Sequence, residues 1–121
     1  MDSCYSGDFT RQLRRGENRI IITSTDGHSV AYGEYRGHGL FSKPFFDALS
    51  KGMSYGDAFE AADRKVDTLS NWLKFGLDGF KVWWEQNPKI DDGDACRNYG
   101  NKLPNILPSN TLAKRTYPVP Q

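Results

Sequence analysis

The hexapeptide Asp2-Ser3-Cys4-Tyr5-Ser6-Gly7 constrains this chain more than any other segment. It sets a cysteine after an acid and a small residue and before a small-residue turn. A thiol nucleophile is presented in this way at the end of a buried strand, where the chain turns and the sulfur stays accessible. The next strand-like run is residues 19–24, apolar and β-branched at Ile20, Ile21 and Ile22, with turn residues on both sides. It reads as a buried strand in a mostly parallel sheet. With its nucleophile at position 4, the chain reads as the later half of an enzyme domain.

Helical patterns follow. Leu40, Phe41, Phe45, Phe46, Ala48 and Leu49 recur at helical spacing, and Lys51-Gly52 reads as a stop. Ser54 fits an N-cap, with Asp57 at the partner position of a capping box. Ala58, Phe59, Ala62, Val66, Leu69 and Leu73 continue at i+3/i+4 spacing, which predicts a helix over residues 55–70. Gly76 and Gly79 interrupt the pattern, so residues 80–84 fit strand or helix. Asn87-Pro88 marks a break, and Asp91-Asp92-Gly93-Asp94 reads as a tight acidic turn. Residues 25–39 have no periodicity and read as a long surface loop, a feature that is often functional. Residues 96–121 read as a proline-rich tail, extended over the surface or partly disordered.

The 121 residues suit one small domain or part of a larger one. Seven Phe, six Tyr and three Trp supply enough aromatic bulk for a core. A net charge of +1 gives no global field toward nucleic acid or an anionic membrane. The basic cluster Arg11, Arg14 and Arg15 reads as a solvated loop. No stretch approaches the roughly 20 apolar residues of a membrane span. The two cysteines are Cys4 and Cys96. A disulfide between them would silence Cys4, because the thiolate is the reactive form.

To act on an acyl group, a thiol needs a base or cation that favours the thiolate, donors for the oxyanion, and open space. Ser6-Gly7 supplies a turn where backbone comes close to a substrate, and the Cys4 N–H can face an oxyanion. Asp2 falls on the same strand face as Cys4. A carboxylate there does not promote a thiolate, but it can bind a cationic substrate group. The plainer readings are a buried structural thiol for Cys4, a solvated acid for Asp2 and a surface histidine for His28. Asp91, Asp92 and Asp94 resemble part of a calcium loop. Leu103 stands where the bidentate Glu of an EF-hand would fall, so an acidic turn is favoured and no cofactor is implied.

Taken with Asp8 and Phe9, the hexapeptide resembles the nucleophile segment of the caspase-like cysteine peptidases, the clan of caspases, metacaspases, legumains, gingipains and clostripain. The order of segments is similar too. It runs through a short, often cleavable linker at residues 8–18, a strand at 19–24, a pocket loop at 25–39 and a helix at 40–50. Gly37-His38-Gly39-Leu40-Phe41-Ser42 resembles the start of that helix. Gln86-Asn87-Pro88-Lys89-Ile90-Asp91-Asp92-Gly93-Asp94 resembles a segment near the end of bacterial members. The resemblance covers residues 1–95. It implies a three-layer α/β/α sandwich, of which this chain supplies the later strands and helices.

The resemblance also implies a polypeptide substrate and a set of roles. Cys4 is the nucleophile and its N–H an oxyanion donor. Asp2 lines the primary pocket and favours Arg or Lys before the scissile bond. Ser24 and Thr25 flank that pocket, and Tyr32 and Glu34 lie in its loop. The clan's catalytic histidine stands in a His-Gly pair ahead of the nucleophile, so His38-Gly39 matches it only superficially. The expectation is that this histidine lies in upstream sequence and that the chain alone has little peptidase activity. A basic preference would further imply self-cleavage after Arg14 or Arg15. The rival expectation is a non-catalytic, caspase-like binding module whose sheet edge is covered by the missing N-terminal half or by another chain.

Overall fold

Two helices and a strand pair enclose the core of the computed structural model, which describes residues 1–13, 19–29, 31, 39–76, 86–93 and 103–116. In chain order the elements are α1 (Gly7–Leu13), β1 (Ile20–Thr23), α2 (Ser42–Ser50), α3 (Tyr55–Gly76) and β2 (Lys89–Asp92), followed by a 3-10 turn at Leu112–Lys114. The architecture is mixed α/β.

The helical hairpin follows local rules. After α2, Lys51 and Gly52 form the stop, with Gly52 at φ +85°. The Gly52 N–H donates to Leu49 O at 3.0 Å and the Met53 N–H to Ala48 O at 3.3 Å, the bond pair of a Schellman cap. Ser54 caps α3, its Oγ accepting the Asp57 N–H at 3.1 Å. The Asp57 carboxylate also turns outward to Lys114, at 2.8 Å.

Ala58, Phe59, Ala62 and Val66 are fully buried and share one face of α3. They meet Phe41 and Phe45 of the α2 region, and the Phe41 ring lies 5.8 Å from the Phe59 ring and 5.5 Å from that of Phe45. Phe46, read as part of the same apolar face, is instead 63% exposed.

The sheet departs from the parallel expectation. β1 and β2 pair antiparallel, with Ile22 opposite Ile90 and Ile20 opposite Asp92. Directly opposed residues share a face, so Ile20, Ile22 and Ile90 point together, and all three join the core with α2 and α3. The acidic turn is likewise corrected, since Asp91 and Asp92 are buried strand residues. Asp92 Oδ2 accepts the Ala113 N–H, while its buried Oδ1 has no hydrogen-bond partner among the described residues. The linker reading of residues 8–18 is corrected in part, because α1 occupies residues 7–13 and lies against both strands. Arg14 and Arg15 fall outside the described residues.

The tail is anchored where it is described. Leu107, Thr111 and Ala113 are buried, and the 3-10 turn packs on α3. Among the described residues no helix is long and apolar enough to cross a membrane.

Candidate active site

The segment that carries Cys4 is tied to β1 by main-chain bonds. The Met1 nitrogen donates to Ile22 O at 2.7 Å and the Ser24 N–H donates to Met1 O at 3.0 Å. One residue bonded to positions j−1 and j+1 of its neighbour is the pattern of a parallel pair. The chain then turns at once. The Ser6 N–H reaches Ser3 O at 3.2 Å, and Tyr5, inside this turn, sits at φ +57°. A bulky residue in the left-handed region costs roughly 1–2 kcal/mol, and such outliers concentrate at functional sites.

Two contacts hold Tyr5 in place. Its N–H donates to Ser29 O at 3.0 Å, and its carbonyl accepts the Asp8 N–H at 3.2 Å as α1 begins. Gly7 is the closest approach between the turn and the loop after β1. A Cβ there would lie 2.5 Å from both the Asp26 carbonyl carbon and the Gly27 nitrogen.

Cys4 is an exposed free thiol, with Sγ 3.9 Å from Ala31 O. Among the described residues no acceptor takes up its N–H. His28 is exposed. Tyr32, Glu34 and His38 lie outside the described residues.

Ser24 and Thr25 are fully buried. The Ser24 carbonyl accepts Gln86 Nε2 at 2.8 Å, while that of Thr25 accepts the Ser6 hydroxyl at 3.4 Å and the Thr23 hydroxyl at 2.9 Å. Their own hydroxyls have no partner among the described residues. The structure therefore uses these two residues as the seat of the Cys4 turn. Asp26 organises the rest of the loop, accepting the His28 N–H at 2.9 Å and Asn87 Nδ2 at 3.3 Å. Its partial burial opposes ionisation, but these bonds and those from Ser29 outweigh it and hold the carboxyl below its ordinary range.

Asp2 is exposed, and its carboxylate accepts the Ser42 hydroxyl at the start of α2. A groove of about 510 Å³ runs beside it, lined by Met1, Ile20, Ile22, Phe41, Phe45, Phe46 and Tyr55 together with Asp2 and Ser42. Cys4 does not line this groove. The sequence reading missed Ser42, Ser29, Gln86 and Asn87 as partners of the site. The only local signal for Ser42 is its place at the first position of a helix beside Gly39. Among the described residues no cluster of three or more metal-ligating side chains occurs.

No family model, curated protein or solved structure matches the chain.

Proposed function

We propose that this chain carries the nucleophile of a caspase-like cysteine endopeptidase, which cleaves peptide bonds through a thioester at Cys4. The observation that carries the reading is the Cys4 turn itself. An exposed thiol, whose N–H no described residue accepts, precedes a left-handed residue at the end of a segment bonded to β1. The proposed architecture is a three-layer α/β/α sandwich to which these strands and helices contribute.

In the reaction the thiolate attacks the scissile carbonyl, and the Cys4 N–H faces the oxyanion. An imidazole protonates the leaving amine and then activates water against the thioester. The proposal assigns that imidazole to a histidine upstream of this chain. Asp2 supplies the preference for Arg or Lys, with Tyr32 and Glu34 around the same pocket, while Ser24 and Thr25, buried beneath the Cys4 turn, support it from within. Turnover of matched Arg, Asn and Asp peptides by the full-length protein tests the reading. The Arg peptide is expected to be cleaved fastest, and Cys4→Ala to abolish turnover. Faster cleavage of the Asn or Asp peptide overturns the basic preference, and turnover that survives Cys4→Ala overturns the nucleophile.

The apolar groove favours a second reading, a non-catalytic module that binds another polypeptide. Phe46 and Tyr55 line the groove while 63% and 44% exposed, and exposed apolar surface of this kind marks interaction sites. Polypeptide binding that is retained in Cys4→Ala, with no turnover by the wild type, would favour this reading.

A further inference from the structure

The acid that faces a substrate in the sequence reading is already engaged in the structure. The Ser42 hydroxyl donates to Asp2 Oδ2 across 40 residues of sequence. Ser42 opens α2, and Phe41, at the N-cap, makes no side-chain bond to the helix. The Lys43 N–H is taken by Gly39 O at 3.2 Å and Pro44 has no N–H, so the Asp2 carboxylate meets this end through the Ser42 hydroxyl, where the helix dipole favours negative charge. Gly39 restricts the same group from another side, because the atom nearest to a Cβ built there is Asp2 Oδ2. Met1, the residue before Asp2, is fixed to β1 by two main-chain bonds. Strand, helix and glycine together determine where this charge sits.

We propose that Ser42 and Gly39 are positioning residues. They hold the Asp2 carboxylate at the N-terminus of α2 and so set the charge that a ligand meets at Cys4. Its functional meaning rests on Cys4 as the nucleophile; its test does not. Held at α2, the Asp2 charge is partly offset by the Ser42 hydroxyl and the helix dipole. Released, the carboxylate, two residues from Cys4 in the chain, is free to swing toward the thiol, where it repels anions.

The test is alkylation of Cys4 in the full 121-residue chain by anionic iodoacetate and by neutral iodoacetamide. Mass spectrometry resolves the Cys4 peptide from that of Cys96. The ratio of the two rates reports local charge, while changes in thiol ionisation or turn mobility affect both rates alike. Ser42→Ala is expected to lower the iodoacetate-to-iodoacetamide ratio about two- to threefold, the effect of one unit charge several ångströms away in a water-like dielectric. Ser42→Thr keeps the hydroxyl and should keep the wild-type ratio. Adding Asp2→Asn to Ser42→Ala should remove the fall. A wild-type ratio in Ser42→Ala overturns the proposal, as does a fall that persists in the double variant. Gly39→Ala displaces the same carboxylate sterically, and it carries the same expectation if Ser42→Ala does not fold. No arm depends on peptide hydrolysis, so failure of the peptidase reading is scored separately.

Discussion

Lys114 Nζ donates to Glu60 Oε2 at 2.6 Å, joining the tail to the second turn of α3 across 54 residues of sequence. Both side chains are only 13% exposed, so this pair differs from an ordinary surface ion pair. Glu60 does double duty, since its Oε1 accepts the Leu107 N–H at 2.8 Å. Burial opposes the Lys114 charge, yet the bonds it donates to Asp57 and Glu60 outweigh it and raise the pKa above the ordinary lysine value. Lys114→Met should therefore destabilise the fold by about 2 kcal/mol, because it leaves a half-buried carboxylate short of a partner. Urea unfolding of the two proteins at neutral pH measures this, and Glu60→Gln with Lys114→Met should cost less than the two single changes summed.

Asp63 provides the pH dependence. It is 9% exposed on α3. Burial raises its pKa to about 6, with Asp67 and Glu60 adding and Lys89 and Arg64 opposing. The folded value lies above the ordinary 3.8, so the folded state binds this proton more tightly than the unfolded chain does. Its stabilising contribution is fully present below about pH 4 and is lost as pH rises through 6. The loss is at most about 3 kcal/mol by linkage. Asp63→Asn should be more stable than the wild type at pH 7, and its stability should vary less between pH 4 and 7. Urea midpoints across that range decide the matter; parallel profiles for the two proteins would count against it.

What the sequence shows, and what it hides, follows from where the stabilising partners lie. α3 is legible because its signals are local. Ser54 caps it, and Ala58, Phe59, Ala62 and Val66 repeat at the helical period. Gly52 is legible as a stop for the same reason. β2 is not legible, because its one apolar residue, Ile90, sits among Lys89, Asp91 and Asp92. It becomes a strand through pairing with Ile20–Thr23, far away in sequence. Its Asp92 is stabilised in the interior by the backbone of Ala113, another distant partner. α1 escapes for a related reason. Its seven residues are too few to be helical alone, and the helix is supported by docking at Gly7 and against both strands. At the site, the turn at Cys4 is legible from the hexapeptide, but the buried strand expected ahead of it is not formed, since residues 1–4 carry no strand and residues 1–5 are exposed. The engagement of Asp2 by Ser42 is not, because 40 residues separate them.

Gly52 offers a clean measure of backbone preference. Its φ is +85°, and a Cβ there would meet nothing within 4 Å. Gly52→Ala should thus cost roughly 1–2 kcal/mol through left-handed strain alone. Thermal unfolding should show a lower midpoint, while the alkylation rate of Cys4 stays at the wild-type value.

Gly7 is the opposite case, because its space is filled by backbone. A Cβ at Gly7 would sit 2.5 Å from main-chain atoms of Asp26 and Gly27, neither of which can rotate away. Gly7→Ala must then part the Cys4 turn from the loop after β1, at a stability cost of roughly 1–3 kcal/mol from overpacking. The same movement disturbs the Tyr5 N–H bond to Ser29 O, 3.0 Å long, that holds the left-handed residue next to the thiol. A displacement of about 1 Å at a nucleophile is enough to reduce turnover on the order of 100-fold. On the proposed peptidase reading, Gly7→Ala should lose turnover to that extent while Gly52→Ala, of comparable stability cost, loses little. Equal losses in the two variants would mean that the turn has no special part in the chemistry and that both act through stability.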